Sequence, residues 1–273
     1  MVLTNTHFWY SWDKMELENI KNTSIKAAYR SAEILNGFFG KLTTINKKGP
    51  IDLVTEADVE SEKQIITTIR SIFPDHKILA EESGLHESVS SIYRWIIDPL
   101  DGTTNFAHQI PIFSISIAFA IRDEVVVGVV LNPVSGELFT AIRDQGATLN
   151  GNVICVSDKH TLSESLLVTG FPYDMALMID PLMIRFKRCL QSARGIRRLG
   201  SAALDLCFIA CGRFDGFWEE HLKPWDTAAG SLIAKEAGAM VTDFSGNPYT
   251  INKKEILATN SHIHNDLKLT LEI

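Results

Sequence analysis

Five β-strand-like runs crowd the first half of this chain, and they constrain its fold more than any other feature. They lie at residues 77–80, 94–97, 113–121, 125–131 and 138–141, with Asp123-Glu124 and Asn132-Pro133 as turns. Two helical patterns precede them. Ile20, Ile25, Ala28, Ala32, Leu35 and Phe39 recur at helical spacing, and Gly40 supplies a stop. A second helix is predicted over 56–72, with Val59, Ile65, Ile66, Ile69 and Phe73 on its inner face. Thr55 is its expected N-cap and Asp58 takes the capping-box position. A helix pair followed by a meander is an α+β signature.

The texture changes after about residue 150. Strand-like runs at 166–169, 196–198, 216–218 and 240–243 alternate with helical stretches at 181–192, 202–211 and 227–237. That is an α/β pattern. The expected division is therefore 1–145 and 146–273, without a flexible linker. At 45% hydrophobic over 273 residues, each half has material for a core.

Several classes of function are disfavoured. A net charge of −7 argues against general nucleic-acid binding, although Arg194, Arg197 and Arg198 form a small basic run. That run reads as a solvated face, a dimer contact, or a phosphate or RNA contact. The longest apolar stretch, 112–121, is too short to span a bilayer. The first residues lack the order of a secretory signal, and no cysteine spacing suggests disulfides or zinc; both point to the cytoplasm. Cys207 and Cys211 read as buried, inert thiols, His108 as peripheral, and His262 and His264 as solvated.

Carboxylates crowd residues 81–101. Glu81-Glu82 ends one strand-like run, and DPLDGTTNF, residues 98–106, ends the next. Pro99 and Gly102 can shape a turn that aims Asp98, Asp101 and the Leu100 carbonyl at one point. Oxygen-only ligands suit Mg²⁺ or Mn²⁺. The same residues also read as an ordinary Asp-Pro, Asp-Gly turn. Of Glu81 and Glu82, at most one should face such a site, because strand neighbours point to opposite sides.

DPLDGTTNF, with Ala80-Glu81-Glu82-Ser83 before it and Trp225-Asp226 after it, resembles the inositol monophosphatase family. Residues 52–58 (DLVTEAD) and 200–203 (GSAA) extend the resemblance over nearly all of the chain from about residue 16. GIRRLGSAALDL followed by Gly212 to Gly216 is most similar to the bacterial branch. The resemblance implies an α/β fold, a layered αβαβα sandwich of the inositol monophosphatase/fructose bisphosphatase type. It implies a homodimer and a phosphate monoester hydrolase with two or three Mg²⁺, inhibited by lithium.

By the same resemblance, Glu81, Asp98, Asp101, Asp226 and the Leu100 carbonyl are metal ligands. Glu81 and Thr103 activate the attacking water, and Asp58 orients the Thr103 hydroxyl. Gly102, Thr103 and Thr104 cradle phosphate. Gly200, Ser201, Ala202, Glu219 and Asp226 face the substrate, and Lys47 stands near the entrance. Ala80, where many members have Gly, and Lys223 are departures that leave the substrate open. Fructose 1,6-bisphosphate and 3′-phosphoadenosine 5′-phosphate are alternatives; either needs a further cationic pocket, for which Lys47, Lys223 and the Arg194–Arg198 run are the candidates. Bacterial members also join transcription antitermination complexes, so contact with RNA polymerase or an antitermination factor is a rival role.

Overall fold

The structure is a computed structural model that describes residues 14–41, 45–47, 53–87, 92–172 and 179–273; at 45–47 and 53–55 it describes the backbone alone. Thr55 as N-cap, the Lys47 side chain and the start of the 52–58 motif lie outside the described residues.

The helix pair is α1 (Lys14–Phe38) and α2 (Glu56–Arg70), with the hairpin β1 (Ile45–Lys47) and β2 (Leu53–Thr55) between them. The strand-rich stretch comprises β3 (Lys77–Ala80), β4 (Gly84–His86), β5 (Tyr93–Asp101), the short α3 (Thr103–Ala107), β6 (Ser114–Ile121), β7 (Glu124–Asn132), β8 (Glu137–Ile142), β9 (Ala147–Leu149) and β10 (Asn152–Ile154). These strands form one eight-stranded sheet in the order β10-β9-β8-β7-β6-β5-β3-β4. Its one parallel pair is β3 with β5. The rest of the chain gives β11 (Leu166–Thr169), α4 (Ile179–Ser192), β12 (Gly195–Arg197), α5 (Ala202–Ala210), β13 (Gly216–Glu220), α6 (Pro224–Glu236), β14 (Met240–Thr242), β15 (Glu255–Thr259) and α7 (His264–Leu271). The second sheet runs β12-β11-β13-β15-β14, parallel across its first three strands and antiparallel at β15.

The elements stack as helices, sheet, helices, sheet, helices. α1 and α2 cover one face of the first sheet, and α6, with α5 beside it, covers the other. α5 and α6 also meet the second sheet, whose far face carries α4 and α7. Four apolar clusters fill the four seams. At one seam the approach is very close: a Cβ at Gly128 of β7 would lie 2.8 Å from the Ala229 carbonyl of α6. α/β layering of this kind is the architecture expected from the resemblance.

Three details depart from the sequence reading. Val59 is 51% exposed, not on the inner face of α2. The buried side of that helix is partly polar, with Asp58, Ser61 and Glu62 beside Ile65 and Ile69. α6 begins at Pro224, so Asp226 lies inside its first turn instead of before it. His264 is not solvated: it is 3% exposed, and its two ring nitrogens sit 3.0 Å from the hydroxyls of Thr242 and Thr259. The sequence pattern missed α7, which carries His264 into the core beside Ile263, Leu267 and Leu271.

Candidate active site

The parallel strands β3 and β5 end side by side. Glu81 follows β3 directly, and its amide donates to the Ile97 carbonyl at 3.2 Å. β5 does not stop at residue 97 as expected but runs on through Pro99 to Asp101. Its register against β6 shifts between Asp98 and Asp101. Pro99 has no N–H for the ladder, which accounts for the break. The shift matters because residues three apart on a regular strand face opposite sides. Here Asp98 and Asp101 line the same cavity, of about 690 Å³, together with Glu81, Leu100, Thr103 and Asp226.

Gly102 then turns the chain with φ 98°. A Cβ there would sit 3.1 Å from the carbonyls of both Gly200 and Ile112, so conformation and space both demand glycine. Thr103 Oγ1 lies 3.2 Å from Asp58 Oδ1 and 3.1 Å from the Leu100 carbonyl. Asp58 is fully buried behind it.

The polar face of α2 explains its odd pattern. Ser61 donates to the Pro99 carbonyl at 2.9 Å. The Glu62 carboxylate accepts the amides of Glu82 at 2.8 Å and Ser83 at 2.9 Å. The helix thus braces both acidic turns. Ala80 is fully buried in extended β3, so its methyl costs nothing in backbone strain.

The second half of the chain closes the site. Asp101 Oδ2 accepts from Ser201 Oγ at 2.6 Å and from the Ala203 amide at 2.8 Å, at the start of α5. Asn105 Nδ2 donates to the carbonyls of Ile112 and Leu199, each at 2.7 Å, which pins the approach to that helix. Asp226 uses Oδ2 to accept the Lys223 amide at 2.7 Å. Gly200, Ser201, Ala202 and Glu219 line the cavity. Thr104 is exposed and outside the lining, and His108 is exposed at the end of α3.

The electrostatics are those of crowded, dehydrated acids. Burial, then the charges of Glu81, Asp101 and Asp226, push the Asp98 carboxyl well up. Burial raises Asp101 to about 6 against the pull of the Ser201, Ala203, Ala202 and Ser114 hydrogen bonds. Asp226 is also pushed well up, first by burial, with the Lys223 amide opposing and Asp101 and Glu81 adding to the rise. Burial and the Asp226 charge take Glu219 to about 8.

Among the described residues, no ion pair within 4 Å involves Asp98, Asp101 or Asp226. No three acidic, His or Cys side chains among them stand as a ready metal-holding group. Asp101 and Asp226 each engage Oδ2 in these hydrogen bonds. By chemistry the donor set fits a hard divalent cation: it is all oxygen, buried and in excess of positive charge.

The Arg194–Arg198 run is among the candidate cations for this site, whereas Asp205 is not placed here by the sequence reading. Arg198 borders the cavity, whereas Arg194 and Arg197 do not. Asp205 also lines it. The available signal was a lone acid in the apolar helix AALDLCFIA.

The inositol monophosphatase family profile matches residues 16–271. The chain belongs to the inositol monophosphatase family. It is 48% identical over 241 residues to an inositol-1-monophosphatase of Synechocystis sp., covering 88% of this chain and 84% of that protein. It is 42% identical to the Nus factor SuhB of Haemophilus influenzae, over 89% of this chain and 91% of that one. In structure it resembles the extragenic suppressor protein suhB of Bartonella henselae, with a TM-score of 0.90 at 39% identity, over 93% and 98% of the two chains.

Proposed function

We propose that this member of the family hydrolyses inositol monophosphate to inositol and phosphate with Mg²⁺. The observation that carries the reading is the convergence of Glu81, Asp98, Asp101 and Asp226 on one cavity, with Leu100 and Thr103 between them. A phosphate monoester is a dianion, and these carboxylates alone would repel it. Two or three divalent cations held by Glu81, Asp98, Asp101, Asp226 and the Leu100 carbonyl would reverse that field, lower the pKa of water and stabilise the leaving oxygen.

The protein's own groups do the positioning. Glu81 and Thr103 orient the attacking water, and Asp58 fixes the Thr103 hydroxyl. Gly102 and Thr103 cradle the phosphate, whereas Thr104, the third cradle residue implied by the resemblance, stands outside the cavity lining. Gly200, Ser201, Ala202 and Glu219 hold the alcohol. Attack is in line, with no covalent nucleophile. The division into 1–145, with most of the ligands, and 146–273, with Asp226 and the alcohol wall, belongs to the same proposal, as do lithium inhibition, a homodimer and a cytoplasmic setting.

Phosphate release should be measured from inositol 1-phosphate, fructose 1,6-bisphosphate and 3′-phosphoadenosine 5′-phosphate, with Mg²⁺ and with chelator. The expected outcome is Mg²⁺-dependent release, fastest from inositol 1-phosphate. Faster release from either bisphosphate would reassign the substrate, with Arg198 and Lys223 as the lining cations.

A second role rests on relatives named Nus factor SuhB. Binding of RNA polymerase or an antitermination factor that survives Asp101→Asn would establish it apart from catalysis.

A further inference from the structure

Asp205 is a buried acid that the fold itself does not use. It sits in the middle of α5, where its neighbours are Leu204, Leu206 and Cys207, and it is 1% exposed. Its Oδ1 is buried without a hydrogen-bond partner among the described residues. An uncompensated carboxyl at such a position is among the costlier features a core can carry. Asp is also a poor residue for a helix interior. Burial raises its pKa, Glu219 and Asp101 raise it further, and Arg198 alone opposes them. Yet the residue borders the same cavity as Glu219, Arg198 and the acidic cluster.

We infer that Asp205 is a specificity residue: with Glu219 it accepts hydrogen bonds from the hydroxyls of a polyol phosphate. The inference deepens the phosphatase reading and rests on it for the phosphate end of the substrate. Three properties of the place select the ligand class. The orphaned atom is an acceptor, so its partner must donate. The wall beside it already carries Glu219, so a second phosphate or carboxylate on the substrate is disfavoured there. Gly102 and Thr103, to which the phosphate is assigned, line the same cavity, so the alcohol portion falls to the wall that carries Glu219 and Asp205. A neutral, hydroxyl-rich leaving group meets all three conditions. Arg198 then serves to temper the paired acids, which would otherwise repel each other.

Three proteins test this: wild type, Asp205→Leu and Asp205→Asn. Each is assayed with Mg²⁺ on inositol 1-phosphate and on p-nitrophenyl phosphate, whose alcohol has no further hydroxyl. Thermal midpoints are recorded alongside, and Kd for inositol 1-phosphate is measured with Ca²⁺ replacing Mg²⁺. The expectation for Asp205→Leu is a KM and Kd for inositol 1-phosphate raised about tenfold, the scale of one lost hydrogen bond to a charged group. KM for p-nitrophenyl phosphate stays within twofold, and kcat changes little. Asn, which keeps an acceptor, recovers most of the binding. Tm rises in Asp205→Leu, because an unpartnered buried carboxyl has been replaced by a packed apolar group.

A KM ratio between the two substrates that does not move overturns the inference. Equal loss on both substrates with a lowered Tm overturns it in favour of a structural role. If wild type releases no phosphate from either compound, the hydrolysis reading fails on its own. The Kd comparison then still decides the role of Asp205.

Discussion

Gly170 has no side chain, and the site depends on that. A Cβ at this position would lie 2.1 Å from Glu219 Oε1 and 2.2 Å from Oε2, so the carboxylate occupies the space a methyl would need. Gly170→Ala must therefore displace Glu219. The predicted result is a several-fold rise in KM for inositol 1-phosphate with the rate on p-nitrophenyl phosphate kept, read from parallel kinetics. Equal effects on both substrates would separate Glu219 from the alcohol wall. At this scale the contiguous motif was legible: Asp98, Leu100, Asp101, Gly102 and Thr103 are neighbours in sequence and stay neighbours in space. Asp205 was not, because its meeting with Glu219 depends on the folding of α5 against β13. Val59 misled for a different reason. Apolar spacing assumes that a buried helix face is greasy, whereas the buried face of α2 carries Ser61 and Glu62 to brace the acidic turns.

Among the elements, the long helices and the meander strands were legible because their periodicity persists over many residues. Several short strands were missed, β9, β10 and β15 among them, although β3, β11, β12 and β14, no longer than β15, were read from their apolar runs. The start of α6 was missed because Pro224 reads as a breaker, yet proline suits the first turn of a helix, where its missing N–H is not needed. α7 offers a pH test. His264 is held between Thr242 and Thr259, and burial, helped by the Lys268 charge, lowers it to about 4. Its folded value is thus below the unfolded one, near 6.5. The unfolded chain binds the extra proton between those values, so the contribution of neutral His264 is complete above about 6.5 and is lost as pH falls towards 4. The Tm advantage of wild type over His264→Asn should shrink as pH drops from 7 to 4. An advantage constant across that range would contradict the neutral, buried histidine.

Across the whole molecule, the two sheets share the α5 and α6 layer, and the site lies where that layer meets the broken end of β5. Asp101 is a structural joint as well as a proposed ligand, since one oxygen ties β5 to the start of α5. Crowded acids at such a joint cost stability that a bound cation offsets. Mg²⁺ at 100 times its Kd should add about 2.7 kcal/mol, and so raise Tm by several degrees. A Tm indifferent to Mg²⁺ would contradict a cation site at the joint. The layered order itself was legible from the resemblance, and the textures of the two halves agreed with it. The closure of one site by both halves was legible only through the family motif at Trp225-Asp226.

The account turns on the acidic cluster acting as one metal-holding unit, and Asp98→Asn tests that most directly. Asp98 is 2% exposed, and its Oδ1 accepts the Leu100 amide at 3.0 Å, a bond that asparagine preserves through its carbonyl oxygen. The fold should survive. The measurement is the initial rate of phosphate release from inositol 1-phosphate at saturating Mg²⁺, wild type against variant, with Tm recorded for both. The account predicts a loss on the order of a hundredfold or more with Tm held, the scale of removing one electrostatic element from a preorganised site. A folded variant that releases phosphate at nearly the wild-type rate would contradict it.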